Sequence, residues 1–82
     1  MELIELSSFY HIVKTGSFSK AAESIFRTPS AVSHHIRNLE SDLRVKLFKR
    51  VSNTVMLTKE GELLLGIVSR FFTELEDLKS DP

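Results

Sequence analysis

Leu3, Leu6, Tyr10 and Val13 recur at helical spacing with Phe9 beside them, so residues 3–14 are predicted as an amphipathic helix. Gly16 ends it at the position where helices turn left-handed. Ser17 then caps a second, short helix through Ile25, with Phe18, Ala21, Ala22 and Ile25 on its inner face. The two adjacent alanines let another helix approach closely. Thr28 and Pro29 open a third helix, because proline's fixed φ and missing N–H cost nothing at the first helical position. Val32, Ile36, Leu39 and Leu43 form its buried stripe, while Ser30, His34, Arg37 and Ser41 form the opposite face and Ser33 lies on the flank. Only Phe26 and Arg27 separate the second helix from the Thr28 cap. Helices joined so tightly must cross steeply, which predicts a helix-turn-helix.

The period then changes. Val45, Leu47 and Phe48, followed by Val55, Met56 and Leu57, are β-prone runs around Ser52-Asn53-Thr54. They predict a small hairpin, or wing, with Lys49 and Arg50 near its tip. Thr58 caps a last, long helix whose early acids, Glu60 and Glu62, suit its positive end. Leu64, Val68, Phe71, Leu75 and Leu78 follow as a heptad seam. A helix of about 20 residues is roughly 30 Å long, more than a small core covers, so part of this seam is expected to pack on a second copy of the chain. The fold class is thus mainly α: a winged helix-turn-helix with a three-helix core over 1–58, then a linker and dimerisation helix over 59–82.

Composition narrows the function. The chain has 82 residues, and a domain of that size offers little room for a catalytic cleft. Cysteine is absent, which removes disulfides and thiolate metal sites and fits a reducing, cytoplasmic setting. No apolar run is long enough to span a membrane, so no membrane partner is expected. His34 and His35 are sequence neighbours about 100° apart on a helix and form no ligand pair, and His11 stands alone, so no metal or other cofactor is expected. Without a Gly-x-Ser-x-Gly elbow or a glycine-rich phosphate loop, the chain is not expected to be an enzyme.

Net charge is zero, but its distribution is not even. Residues 1–26 carry −1 and residues 60–82 carry −4, whereas 27–59 carry +5 from Arg27, Arg37, Arg44, Lys46, Lys49, Arg50 and Lys59 against Glu40 and Asp42. A basic segment between acidic ones points to a polyanion. With the tight turn and the capped third helix, that polyanion is expected to be duplex DNA. The third helix, about residues 29–42, enters the major groove. Ser30, Ser33 and His34 reach bases or phosphates, and Arg37 pairs with phosphate or guanine. Lys49 and Arg50 hold the flanking backbone or reach a minor groove. The alternative is a winged-helix protein-interaction module without DNA. Charge placement separates the two: DNA binding requires Arg37, Lys49 and Arg50 on one basic face.

The motifs Gly16-Ser17-Phe18-Ser19-Lys20-Ala21-Ala22-Glu23, Ser30-Ala31-Val32-Ser33-His34-His35-Ile36-Arg37-Asn38-Leu39-Glu40, Leu47-Phe48-Lys49-Arg50 and Leu57-Thr58-Lys59-Glu60-Gly61 resemble, in order and spacing, the N-terminal DNA-binding domain of LysR-type transcriptional regulators. The resemblance covers nearly the whole chain. It implies a bacterial cytoplasmic regulator that dimerises through the linker helix and reads double-stranded DNA with dyad-symmetric half-sites. It places Thr28, Pro29, Ser30, Ser33, His34 and Arg37 on the recognition helix, and Arg50 with Asn53 on the wing. Such regulators carry a small-molecule effector domain beyond the linker, so the chain is expected to be a DNA-binding fragment or truncated product. Three positions depart from the pattern. Pro29 stands where glutamine is common and can meet a thymine methyl instead. Arg27 replaces an apolar turn residue and adds a phosphate contact. Arg44 stands where glycine is common, a cost on the order of 1 kcal/mol if φ is positive there.

Overall fold

Glu2 and Glu5 start the first helix, α1 (Leu3–Thr15), with a reciprocal capping box: each side chain accepts the other's backbone N–H. Gly16, at φ 74°, ends it and donates to Ile12. Ser17 accepts from the Lys20 amide at 3.2 Å and opens α2 (Phe18–Ser24), one residue shorter than the periodicity predicts because Ile25 already serves as the C-terminal cap. The Thr28 hydroxyl accepts from the Ala31 amide at 3.1 Å, with Pro29 beginning α3 (Pro29–Leu43). An antiparallel hairpin, β1 (Phe48–Val51) and β2 (Thr54–Leu57), precedes α4 (Lys59–Ser80). This architecture comes from a computed structural model that describes residues 1–80.

The turn between α2 and α3 closes as a Schellman motif. The Phe26 amide donates to Glu23 and the Arg27 amide to Ala22, which sends Phe26 into the left-handed region at φ 58°. Arg27 takes the place where an apolar residue would pack back on the helix. Arg44 also turns left-handed, at φ 60°, as the glycine-like position after α3 requires.

Phe9, Ile12, Ala21, Ala22, Val32, Ile36, Leu39, Leu47 and Val68 make one core. On α1 the fully buried residues are Glu5, Ser8, Phe9 and Ile12; of the expected face of Leu3, Leu6, Tyr10 and Val13 with Phe9 beside them, only Phe9 is fully buried. Leu6, Tyr10 and Val13 flank the core, and Leu3 is exposed. The buried polar side chains turn the face: Ser8 bonds His35 Nδ1 at 2.6 Å and Glu5 accepts from Asn38, so α1 meets α3 through polar groups that a hydrophobic stripe does not reveal. The Met1 ammonium also reaches Asp42 at 2.7 Å, a hydrogen bond that raises its pKa above the ordinary value.

The wing is anchored at its base. Thr58 donates from its amide to the Leu47 carbonyl and from its hydroxyl to that of Lys46, while the same hydroxyl accepts the Gly61 amide at 3.0 Å and caps α4. The Leu47 amide donates to Glu40 Oε2 at 2.7 Å. Along α4, Val68 completes the core, and every residue from Thr73 to Ser80 is exposed. The helix therefore projects beyond the three-helix body, in keeping with a long dimension of 45 Å against 25 and 22 Å.

Arg44→Gly is expected to raise stability by about 1 kcal/mol, because glycine adopts φ 60° without a Cβ clash. Urea unfolding checks this: the midpoint rises with the slope unchanged. An unaltered or lowered midpoint would show that the arginine side chain contributes as much as its backbone costs.

Candidate nucleic-acid interface

The outward side of α3 follows from its buried one. Val32, Ile36 and Leu39 face the core, so the opposite positions face solvent: Ser30, His34, Arg37 and Ser41 are all exposed. Ser33 is half-buried on the flank. Thr28 and Pro29 are exposed at the N-terminal end, where the first helical amides point outward. Arg27 is exposed just before them, with Nη1 3.3 Å from the Phe26 carbonyl. Phe26 itself is 90% exposed at this end of the helix, a position for which the apolar pattern gives no role.

Strand alternation divides the wing into two faces. Phe48 pairs with Leu57 and Arg50 with Val55 on the face turned toward the body; Lys49 pairs with Met56 and Val51 with Thr54 on the other. Arg50 therefore overlooks a cleft of about 640 Å³ between α3 and the wing, shared with Ser33, Arg37 and Lys46. Glu40 is the acid in that cleft, and the Leu47 amide already occupies one of its oxygens. Lys46 joins Arg37 and Arg50 from outside the expected site, marked by the charge of the basic segment rather than by a motif.

The expectation of one face for Arg37, Lys49 and Arg50 is thus met by Arg37 and Arg50, with Lys46, while Lys49 stands on the opposite face. Lys49 and Arg50 are near the tip of the wing but not at it. They lie within β1, and the tip is Ser52 and Asn53, at φ 49° and 66°. Positive φ at both central residues is the two-residue turn whose twist suits a hairpin. Asn53 is exposed there.

The predicted seam on α4 also divides. Val68 is 1% exposed and Leu64 is half-buried, both against the chain's own core, so Val68 has no surface to offer a partner. Phe71, Leu75 and Leu78 are exposed, and Leu63 and Ile67 extend them toward the N-terminus of the helix. The exposed stripe is therefore Leu63, Ile67, Phe71, Leu75 and Leu78, spaced by one helical turn. Among the described residues, no group of three His, Asp or Glu side chains could hold a metal ion, and no helix is long and apolar enough to cross a membrane.

The pattern for bacterial regulatory helix-turn-helix proteins of the lysR family matches residues 3–62. The chain is similar to the HTH-type transcriptional regulator PerR of Escherichia coli, with 46% identity over 71 residues that cover 87% of this chain and 24% of PerR. It thus spans about a quarter of that relative's length. Among solved structures, BenM_DBD in complex with catB site 1 DNA superposes with a TM-score of 0.87 and 31% identity, covering 98% of this chain and 89% of that one. A LysR-family transcriptional regulator from Eggerthella lenta superposes with a TM-score of 0.79 and 35% identity, covering 84% of this chain and 99% of that one.

Proposed function

The chain belongs to the lysR family of bacterial regulatory helix-turn-helix proteins, and from that footing we propose that it reads duplex DNA by sequence as the DNA-binding module of a dimeric transcriptional regulator. One observation carries the reading: Arg37 on α3 and Arg50 on the wing, with Lys46 between them, line a single cleft beside the exposed N-terminal half of α3. A duplex laid along this side meets α3 in its major groove and the wing on the adjoining backbone. Ser30, Ser33 and His34 face base edges, and Arg37 takes a phosphate or a guanine. Arg27, Thr28 and the first amides of α3 receive phosphate oxygens, and Pro29 meets a thymine methyl. Arg50 and Asn53 hold the flanking backbone or reach the minor groove, while Lys49, on the outer face, adds long-range attraction. The complex of BenM_DBD with catB site 1 DNA supports this docking by the likeness of the two folds.

Residues 1–58, together with the α4 residues that complete their core, are the reading unit, and the exposed face of α4 joins two copies. Its exposed stripe of Leu63, Ile67, Phe71, Leu75 and Leu78 is the surface for that pairing. A two-fold pair of recognition helices reads half-sites of dyad symmetry. In this reading the whole regulator works in the cytoplasm, binds its small-molecule effector outside the present chain, and has no catalytic role in this module.

Anisotropy of a labelled duplex, titrated with salt, tests the interface. Each phosphate neutralised contributes about −0.9 to the log–log slope. Arg37→Ala and Arg50→Ala are each expected to weaken binding and reduce the slope by about one per protomer, and Lys49→Ala to change it less. Unchanged affinity in the first two variants would refute the cleft as the DNA contact. No binding at low salt by the folded chain would favour a protein-interaction module.

Leu75→Glu places an uncompensated charge in the α4 stripe and is expected to shift a dimer toward monomer in sedimentation, with helix content retained. A variant that still sediments as a dimer would show that another surface pairs the copies.

A further inference from the structure

The exposed face of α3 contains a histidine, and a neutral histidine can present either a donor or an acceptor to a base. Its neighbours decide which. Asn38 Nδ2 lies 3.2 Å from Glu5 Oε2 and 3.2 Å from His34 Nε2. Glu5 is 4% exposed on α1, and its other oxygen accepts the Glu2 amide at 3.1 Å. A carboxylate oxygen accepts, so the Asn38 atom that faces it is the amide nitrogen rather than the amide oxygen. That nitrogen only donates, so its second hydrogen needs a lone pair on His34 Nε2. With Nε2 unprotonated, the ring proton of neutral His34 resides on Nδ1.

We propose that Glu5 and Asn38 are positioning residues that fix His34 as a hydrogen-bond donor, through Nδ1–H, to a base edge in the major groove. The proposal rests on the DNA-reading function above and adds the atom that is read. A donor at this position selects the acceptors of that groove, a purine N7, guanine O6 or thymine O4, and rejects the amino groups, cytosine N4 and adenine N6. Arg37 only donates wherever it lands, whereas Ser30 and Ser33 carry hydroxyls that both donate and accept and turn to suit either, so the choice in the N-terminal half of α3 falls to His34. The ordering is built into the fold, because Glu5 is held in place by the capping box that starts α1.

The test uses the intact chain and a duplex selected from a randomised pool. Affinities for all single-base variants of that duplex are measured at one salt concentration for the parent, His34→Ala, Asn38→Ala and the double variant. His34→Ala is expected to lower discrimination about fivefold at one base position, the order of a single hydrogen bond, and Asn38→Ala to lower it at the same position, with no further loss in the double variant. Nitrogen-15 shifts of the His34 ring supply a readout that a merely structural role would not move. They should show Nδ1 protonated in the parent chain and the Nε2-protonated form, which an unconstrained histidine side chain favours, in Asn38→Ala. A parent ring protonated on Nε2, a preference for cytosine at the His34 position, or full discrimination in Asn38→Ala would each overturn the proposal. Base preference that survives His34→Ala overturns this inference alone, whereas a parent chain that binds no duplex overturns the DNA-reading function as well.

Discussion

The junction at Leu47 holds the parts proposed to face DNA in register. Its side chain is fully buried, its amide is tied to Glu40 on α3, and its carbonyl accepts the Thr58 amide at the start of α4. A Cβ on Gly61 would collide with that same carbonyl oxygen, so only glycine lets α4 begin so close to the wing's base. Three elements that share no regular hydrogen-bond ladder are thereby fixed by one residue's backbone. The separation of Arg37 from Arg50 depends on it, since one sits a turn before Glu40 and the other three residues beyond Leu47.

Around that anchor the chain turns sharply at Phe26, Arg44, Ser52 and Asn53, all with positive φ and none of them glycine. Each such turn costs on the order of 1 kcal/mol for an ordinary side chain, less for asparagine. The four mark the two ends of the recognition helix and the tip of the wing, which are the boundaries of the proposed DNA contact. The fold thus spends its backbone strain on aiming that surface. The core tolerates this because the helices that carry it are well capped, by Glu2 with Glu5, Ser17, Thr28 and Thr58.

Much of this was legible in the residues. Thr28-Pro29 marked the start of α3, and the 4-3-4 spacing of Val32, Ile36, Leu39 and Leu43 marked its inner face, because capping and periodicity act locally. Asn53 likewise marked the hairpin turn. What could not be read depends on partners distant in sequence. The inner face of α1 turned out to hold Glu5 and Ser8, whose burial makes sense only beside Asn38 and His35. Lys49 and Arg50 look equivalent in sequence, but strand alternation, fixed by the pairing register, separates them. The heptad on α4 joined Val68, which completes the monomer core, to Leu75 and Leu78, which lie outside it, because one period serves both kinds of packing.

In the proposed complex, α3 and the inner face of the wing together form the surface that meets DNA. Mapping backbone amide shifts of the nitrogen-15-labelled chain during titration with a duplex selected from a random pool tests it most directly. Perturbations are expected to concentrate at residues 27–37, Lys46 and residues 50–53, with Leu75 and Leu78 unmoved. Shifts centred on the α4 stripe or on α1, with α3 silent, would contradict it.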